Sequence, residues 1–179
     1  MKKIIALVAV VILTASFTIP TKEVVHKGKS IKWLSFEEAI ALNKKNPKPI
    51  YFDMYTDWCG WCKQMEKKTF SDPAIIKYMN KHFYAVKFNA ETRKAITYKG
   101  KVYKNNRGYN ELAIEMMNRQ MAFPTSIFWN EKETLLTRIP SYLDAKEFDV
   151  IMHYYGSGAY FKTGWYKYKK NYEKKQKKK

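Results

Sequence analysis

The chain has 179 residues, enough for one domain with a sizeable core, and it carries a formal net charge of +18. Two cysteines are too few for the framework of several disulfides that holds many small secreted folds together. The charge is unevenly distributed, because residues 162–179 contain nine lysines and one glutamate. Nearly half of the net charge therefore belongs to a C-terminal tail rather than to the fold.

The N-terminus has the pattern of a secretory signal. Lys2 and Lys3 precede an apolar run over 4–13, and small or polar residues follow at 14–16. We therefore expect a signal peptide at about 1–20 and an exported, periplasmic location. The alternative is a retained membrane anchor, although the apolar run is shorter than the roughly 20 residues that a spanning helix needs. No cysteine lies near this segment, so we do not expect attachment as a bacterial lipoprotein.

Helix and strand signals alternate after this segment. A serine cap followed by two glutamates marks one helix, and an Asp-Pro pair marks another. The patterns predict helices at 35–45, 74–81, 107–120 and 144–155, and strands at 49–55, 84–89, 125–130 and 134–139. This alternation predicts an α/β domain over 31–160, with a central mixed sheet flanked by helices, and a Lys-rich tail over 161–179.

Both cysteines lie in one motif, Trp-Cys-Gly-Trp-Cys at 58–62. Two thiols at this spacing can serve as a redox dithiol, as half of a zinc site or as a structural disulfide. A structural disulfide across so short a loop removes little entropy from the unfolded chain. A zinc site needs further ligands, and His26, His82 and His153 are isolated and far apart in sequence. We therefore favour the redox dithiol and expect no metal.

The flanks of the motif indicate which thiol attacks. An apolar and aromatic strand precedes the motif and good helix formers follow it, so Cys59 falls where a strand turns into a helix. Unpaired N–H groups and the helix dipole stabilise a thiolate at a helix N-terminus. We expect Cys59 to be the exposed nucleophile and Cys62 to be the more buried resolving thiol.

This arrangement resembles the active site of the thioredoxin family, and the resemblance covers roughly residues 31–155. Asp53, six residues before Cys59, matches a buried carboxylate that assists proton transfer at the resolving cysteine in that family. Lys87 matches the strand lysine near this carboxylate. The Phe-Pro-Thr sequence at 123–125 matches the cis-proline that begins a strand opposite the cysteines.

The resemblance implies a thioredoxin fold with an insert before the cis-proline. It implies dithiol–disulfide exchange with protein disulfides, with Cys59, Cys62 and Asp53 as the catalytic residues, Lys87 in support and no cofactor. The expected substrate contacts are Trp58, Trp61, Phe123, Pro124 and Thr125. Trp58 has packing against the domain as an equal alternative.

The departure from thioredoxin at Trp61 leaves the direction of electron flow open. Thioredoxin itself has proline at this position, and the dipeptide between the cysteines is a main determinant of the redox poise in the family. The sequence Cys-Gly-Trp-Cys-Lys is more similar to the thioredoxin-like domains of bacterial envelope proteins than to cytosolic thioredoxin. We favour a reductase, which would need a membrane-bound electron donor because the envelope is kept oxidising. A disulfide oxidase or isomerase, and a non-enzymatic interaction protein or metallochaperone, are the alternatives.

The stretch from Glu91 to Gln120 is longer than a minimal thioredoxin needs before the cis-proline. Within it, residues 97–103 predict a hairpin around Gly100, and residues 107–120 predict a helix. Leu112, Met116 and Met117 are expected to face the core, as methionine core filling is favoured over a ligand-binding stripe. Such an insert either shapes a partner surface or is a plain surface elaboration.

The C-terminal tail interleaves lysines with aromatic residues. Trp165, Tyr168 and Tyr172 follow helical spacing, which favours a helix that packs these rings on the domain and frays into a solvated lysine run. Contact with an anionic membrane surface is the first alternative. Nucleic-acid binding is disfavoured, because the chain is expected to be exported.

Overall fold

The computed structural model describes residues 30–178. The signal peptide predicted at about 1–20 and the isolated His26 lie outside the described residues. Within the described range, every helix is too short or too polar to cross a membrane.

A five-stranded mixed sheet forms the centre of the fold. The described residues contain, in chain order, the strands β1 (Trp33–Leu34), β2 (Ile50–Tyr55), β3 (Tyr84–Asn89), β4 (Ile96–Tyr98), β5 (Lys101–Tyr103), β6 (Asn105–Asn106), β7 (Tyr109–Asn110), β8 (Thr125–Trp129) and β9 (Leu135–Ile139). Strands β4 to β7 form two separate hairpins outside the central sheet. The order in the central sheet is β1-β3-β2-β8-β9. The β1–β3 and β3–β2 pairs are parallel, whereas the β2–β8 and β8–β9 pairs are antiparallel. The predicted mixed sheet is therefore confirmed.

Local capping signals set where the helices begin. The helices are α1 (Phe36–Lys45), α2 (Gly60–Lys68), α3 (Pro73–His82), α4 (Glu111–Met116), α5 (Ala145–Gly156) and α6 (Trp165–Gln176), with a 3₁₀ turn at Ala159–Phe161. Ser35 and Glu38 form a reciprocal capping box at α1, and Asp144 and Glu147 form another at α5. Asp72 accepts two backbone N–H bonds at the start of α3. These are the boundaries that the sequence predicted for α1, α3 and α5, to within one residue.

The sheet separates two hydrophobic clusters, and the alternation along β2 assigns residues to each. Phe52 and Met54 belong to the cluster beneath α1 and the insert, whereas Tyr51 belongs to the cluster beneath α3 and α5. Because side chains alternate along a strand, Asp53 lies on the same face as Tyr51. That placement buries Asp53, which is 2% exposed.

The insert contains two small hairpins and a short helix. The predicted hairpin around Gly100 is confirmed by the pairing of β4 with β5. The predicted helix over 107–120 is wrong at both ends, because only Glu111–Met116 is helical. Arg107 has a φ of 52° and forms the turn between β6 and β7, and Asn118 and Arg119 also have positive φ beyond the helix. Such left-handed residues cannot continue an α-helix.

The core residues expected in the insert are confirmed. Leu112, Met116 and Met117 are each at most 4% exposed, and Met121 packs against the same cluster. The methionines therefore fill the core, as their spacing predicted.

The C-terminal helix packs against the domain as the aromatic spacing predicted. Trp165, Tyr168 and Tyr172 of α6 contact the cluster beneath α3 and α5. The Tyr172 hydroxyl donates to Asp149 Oδ2 at 2.7 Å and lies 3.0 Å from His153 Nδ1, both on α5. The rings that gave the tail its helical pattern are therefore used for packing.

Candidate active site

The two cysteines form a disulfide at the N-terminus of α2. Cys59 is the N-cap residue, and its Sγ accepts the N–H of Cys62 at 3.0 Å. The Cys59 N–H donates to the carbonyl oxygen of Thr56 at 3.2 Å, which turns the chain from β2 into the helix. The strand-to-helix position predicted for Cys59 is therefore confirmed.

The predicted difference in exposure between the two cysteines is not found. Cys59 is 4% exposed and Cys62 is 7% exposed, so the expectation of an exposed Cys59 beside a more buried Cys62 is wrong for the disulfide form. The physical reason is the bond itself, because each sulfur covers the other and the Cys62 N–H also covers Cys59 Sγ.

Asp53 and Lys87 face each other across neighbouring strands, as the resemblance implied. Asp53 on β2 pairs in register with Lys87 on β3, and Lys87 Nζ lies 3.8 Å from Asp53 Oδ2. Lys87 Nζ also contacts the carboxylate of Glu66 on α2. Glu66 lies four residues after Cys62, which is one helical turn, so it faces the same side of α2. One lysine thus bridges a buried carboxylate and a surface carboxylate.

Burial makes Asp53 a weak acid. Desolvation raises the pKa of Asp53 from 3.8 to about 6, and the attraction of Lys87 offsets only part of this rise. Burial likewise lowers the pKa of Lys87, and the nearby Asp53 carboxylate partly offsets this effect. Asp53 can therefore gain and lose a proton near neutral pH, which is the property that a general acid–base group needs.

A cavity of about 260 Å³ opens beside the disulfide. It is lined by Asp53, Tyr55, Thr56, Asp57, Cys62, Lys63, Glu66, Lys67 and Lys87. Among the described residues, the buried Thr56 hydroxyl has no hydrogen-bond partner, although it borders this cavity. The cavity gives Cys62 and the Asp53 carboxyl group a shared, partly polar space.

The loop before β8 lies against the disulfide turn. The Phe123–Pro124 peptide bond is cis, and the Phe123 ring meets the Trp58 ring edge-on at a centroid distance of 5.9 Å. Thr125 is 2% exposed, and its hydroxyl donates to the carbonyl oxygen of Ala122 at 2.7 Å. The Thr125 side chain therefore fixes the loop and does not present its hydroxyl to a substrate.

Two exposed tryptophans flank the disulfide. Trp58 is 62% exposed and Trp61 is 64% exposed, so neither is a core packing residue. The Trp58 indole N–H donates to Glu91 Oε1 at 2.9 Å, and the Trp61 ring lies 5.4 Å from the Tyr142 ring. Both indoles are held in place while their faces remain accessible.

The histidines lie in a different part of the fold. The His82 ring stacks on Tyr78 at a centroid distance of 4.1 Å, and the His153 ring contacts Tyr78 in a tilted arrangement at 3.8 Å. They line a larger cavity of about 680 Å³ between α3, α5 and α6, which contains neither cysteine. Across residues 30–178, no group of three or more His, Cys, Asp and Glu side chains is placed to hold a metal ion.

Sequence reasoning missed several residues around the disulfide. Glu66 had a readable signal, because its spacing from Cys62 places both on one helix face. Glu91, Tyr109 and Tyr142 had no such signal, because tertiary packing of the insert and of the segment before α5 brings them to the site.

The fold and the site together define a class of protein. A disulfide at a strand-to-helix turn, a buried carboxyl group beside it and a cis-proline loop against it are the parts of a thioredoxin-like thiol–disulfide oxidoreductase. The chain belongs to the thioredoxin-like domain family, whose family model matches residues 36–156.

Known relatives agree with this assignment. The thiol:disulfide interchange protein DsbD of Pectobacterium atrosepticum is 29% identical over 109 residues, which cover 58% of this chain and 16% of that protein. DsbD of Salmonella typhimurium is 28% identical over 115 residues, which cover 63% and 18%. The chain thus spans less than a fifth of the length of these relatives.

Solved structures share the fold. A thioredoxin from Thermus thermophilus superposes with a TM-score of 0.53 at 21% identity, covering 69% of this chain and 85% of its own. The DsbH oxidoreductase superposes with a TM-score of 0.51 at 17% identity, covering 69% and 83%. At these identities the likeness concerns the fold alone.

Proposed function

We propose that this protein reduces protein disulfides by exchange with its own dithiol. The Cys59 thiolate attacks one sulfur of a substrate disulfide, forms a mixed disulfide and releases the first substrate thiolate. Cys62 then loses its proton and attacks Cys59 Sγ, which releases the second substrate thiolate. Two electrons pass to the substrate, and the enzyme is left with the Cys59–Cys62 disulfide.

The single observation that carries this proposal is the Asp53 carboxyl group beside Cys62. Both residues line the same cavity, and burial raises the pKa of Asp53 to about 6. A carboxylate with this pKa accepts a proton from a thiol near neutral pH and gives it up again afterwards. We therefore assign Asp53 as the base that accepts the Cys62 proton during resolution. The nearby Lys87 stabilises the negative charge of the Asp53 carboxylate.

The proposed direction of electron flow rests on the same carboxyl group. A thiolate on Cys62 and the ionised Asp53 would place two negative charges beside one small cavity, and like charges disfavour ionisation. An oxidising couple has a reduced form that its surroundings stabilise. A site that disfavours the thiolate is instead expected to be reducing.

The proposed location is the periplasm. The support comes from the secretory pattern at about 1–20. Because an oxidising envelope cannot regenerate a dithiol, a reductase there needs electrons from a membrane-bound donor. The proposed partners are accordingly protein disulfides and one membrane-bound donor.

Trapping of mixed disulfides tests this function. In the Cys62→Ser variant, Cys59 can still attack, but the mixed disulfide cannot be resolved. Reduced variant is incubated with periplasmic proteins, alkylated and run on non-reducing gels, with the Cys59→Ser variant as the control. We expect reducible adducts with Cys62→Ser and none with Cys59→Ser. Equal adducts with both variants, or none with either, would contradict exchange through Cys59.

We also propose that α6 rests on an anionic membrane surface. Its inward rings are occupied by packing, which leaves Tyr166, 87% exposed, and the neighbouring Phe161, 70% exposed, as aromatic contacts. Lysines on the same outward side of the helix are exposed, and Glu173 lies 3.9 Å from Lys169. Basic residues near a negatively charged leaflet contribute about 1 kcal/mol each.

Vesicle flotation tests this contact. At low ionic strength we expect binding to vesicles that contain phosphatidylserine and none to vesicles of phosphatidylcholine alone, with a loss of binding as salt increases. The double variant Lys170→Gln/Lys174→Gln should bind more weakly, whereas Lys44→Gln/Lys45→Gln on α1 is the charge-matched control. Equal weakening by both double variants would show that binding follows the net charge and not a contact through α6, which would contradict the proposal. An absence of binding at low salt would also contradict it.

A further inference from the structure

The insert between Glu91 and Gln120 reaches the active site at two points. Glu91, at its start, accepts the indole N–H of Trp58 at 2.9 Å. Tyr109, in the β6–β7 hairpin, packs its ring 6.0 Å from the ring of Phe123. These two contacts attach the insert to the residue before Cys59 and to the residue before Pro124. We call the continuous row of Tyr109, Phe123 and Trp58 the aromatic rim.

Hydrogen bonds of Asn105 and Asn110 fix the part of the insert that carries Tyr109. Asn110 is fully buried, its amide donates to the carbonyl oxygen of Lys94 at 3.2 Å, and its side-chain oxygen caps α4. The Asn110 N–H donates to the carbonyl oxygen of Ala90 at 2.8 Å. Asn105 donates its side-chain amide to the carbonyl oxygen of Glu91 at 3.0 Å. Tyr109 is therefore held by a rigid frame that begins at the end of β3.

The covalent chemistry places a substrate residue on this rim. In a mixed disulfide, the Cα atom of the substrate cysteine lies about 4.4–6.8 Å from the Cα atom of Cys59. The next substrate residue is about 3.8 Å further along the chain. Trp58 directly precedes Cys59 in the chain, and its ring contacts the ring of Phe123. A side chain next to the substrate cysteine is therefore expected to meet the rim.

The chemistry of the rim selects an apolar side chain. Trp58 exposes most of its indole surface, while its polar N–H is already used by Glu91. An apolar or aromatic side chain would cover this surface and gain both area burial and ring contacts. An acidic side chain would instead lie near the carboxylate of Glu91, which disfavours a second negative charge.

We propose that the insert is a specificity element, in which Glu91 and Tyr109 hold the aromatic rim to receive an apolar side chain next to the cysteine of an extended protein substrate. This inference rests on the proposed exchange function. Glu91 and Tyr109 are positioning residues, because they act through Trp58 and Phe123. The insert is then a partner surface rather than a plain elaboration of the fold.

Two matched peptides test the proposal. Each carries one cysteine coupled to thionitrobenzoate, preceded by phenylalanine in one peptide and by glycine in the other. Reduced Cys59 attacks the peptide sulfur and releases coloured thionitrobenzoate, and Cys62 then displaces the peptide thiol. We expect the wild-type protein to react about tenfold faster with the phenylalanine peptide at low peptide concentration.

Ratios of the two rates isolate recognition from folding and from general reactivity. Tyr109→Ala and Glu91→Ala should lower the phenylalanine-to-glycine ratio to about 2, mainly through a higher KM. Tyr109→Phe keeps the ring and Glu91→Gln keeps an acceptor for the Trp58 N–H, so both should retain the wild-type ratio. Val102→Ala, at a half-exposed position on β5, is the control within the insert.

The outcomes separate this inference from the proposed function. Exchange with both peptides at equal rates, or an unchanged ratio in Tyr109→Ala, would overturn the role of the insert and leave exchange through Cys59 intact. A faster reaction with an arginine-flanked peptide would also overturn it, because the rim would then select a cation. No reaction with either peptide or with free thionitrobenzoate disulfide would contradict the exchange function itself.

Discussion

The disulfide end of the sheet and the face covered by α6 treat buried polar groups in opposite ways. Beside the disulfide, burial raises the pKa of Asp53, and the Thr56 hydroxyl has no hydrogen-bond partner among the described residues. Beneath α6, the Tyr172 hydroxyl bonds Asp149, and the Tyr154 hydroxyl donates to the carbonyl oxygen of Thr163 at 2.8 Å. At the disulfide end, polar groups are buried at a cost in folding free energy. Beneath α6, the buried polar groups have hydrogen-bond partners.

The difference indicates where the fold gives up stability for chemistry. A buried carboxyl group with a raised pKa destabilises the folded state at neutral pH, and such groups cluster at functional sites. The paired tyrosines of the α6 face are ordinary structural interactions. Substitutions at the disulfide end should therefore lower the exchange activity and, at Asp53, raise the stability of the fold. Substitutions on the α6 face should lower the stability and leave the activity unchanged.

The largest effect is expected on exchange activity at Cys59. The Cys59→Ser variant replaces a thiol by a hydroxyl that does not ionise near neutral pH, so the exchange rate should fall by about a thousandfold or more. The measurement is single-turnover reduction of a peptide disulfide. The matched change on the α6 face, Tyr172→Phe, should leave this rate within about twofold, and a comparable loss there would break the contrast between the regions.

The second effect is a gain of stability at Asp53. The pKa of this carboxyl group is raised from 3.8 to about 6 in the folded protein, so the folded state binds the proton more tightly. Folding is therefore penalised as pH rises from about 4 to 6, and the penalty is complete above this range. We expect the free energy of unfolding of Asp53→Asn to exceed that of the wild-type protein by about 2 to 3 kcal/mol near pH 7. Below about pH 4 the two values should be equal.

Urea unfolding of the oxidised protein at the two pH values measures this gain. Asp72→Asn is the matched control, because asparagine caps a helix as well as aspartate does and the change should stay below about 0.5 kcal/mol. A loss of stability in Asp53→Asn near pH 7 would show that Asp53 is a structural ion pair with Lys87. The same variant should slow the resolution step more than the first attack.

The third effect is a loss of stability at Tyr172. Tyr172→Phe removes the hydroxyl that bonds Asp149 and His153, and it should lower the free energy of unfolding by about 1 to 2 kcal/mol. Tyr166→Phe, at a side chain that is 87% exposed, makes the same chemical change without a buried partner and should have no effect. Similar results for both tyrosines would argue against a packed α6.

The smallest effect is expected at Glu66. Glu66→Gln removes a negative charge and leaves Lys87 free to face Asp53 alone, so the pKa of Asp53 should move down from about 6. Because Glu66 is 47% exposed, solvent screening should keep the shift to a few tenths of a pH unit. NMR titration of the Asp53 carboxyl carbon measures it. An upward shift of the Asp53 pKa would contradict this account and would mean that Glu66 holds Lys87 close to Asp53.

Elements with local signals could be predicted from the sequence. Capping residues predicted the starts of α1, α3 and α5, whereas the buried carboxyl group at Asp53 was implied by the resemblance to thioredoxins. The helix predicted over 107–120 was wrong because left-handed residues other than glycine, such as Arg107, leave no mark in the sequence. Strand β1 was missed because it is only two residues long.

The rest of the site depends on tertiary packing. Tyr109 reaches Phe123 because hydrogen bonds of Asn105 and of the buried Asn110 fold the insert against the end of β3. The exposure of Cys59 was mispredicted, because both cysteines of the disulfide are buried. Spacing along the chain identifies the reacting atoms, whereas the walls around them come from distant segments.

Redox titration of the Cys59–Cys62 couple against glutathione tests the proposed reductase most directly. If Asp53 disfavours the thiolate form, the couple is reducing, and the disulfide should persist in buffers that contain mostly reduced glutathione. Alkylation followed by mass measurement gives the reduced fraction at each ratio, and Asp53→Asn should shift the midpoint towards an oxidising value. A wild-type couple that is already fully reduced in buffers rich in oxidised glutathione would contradict the assignment as a reductase.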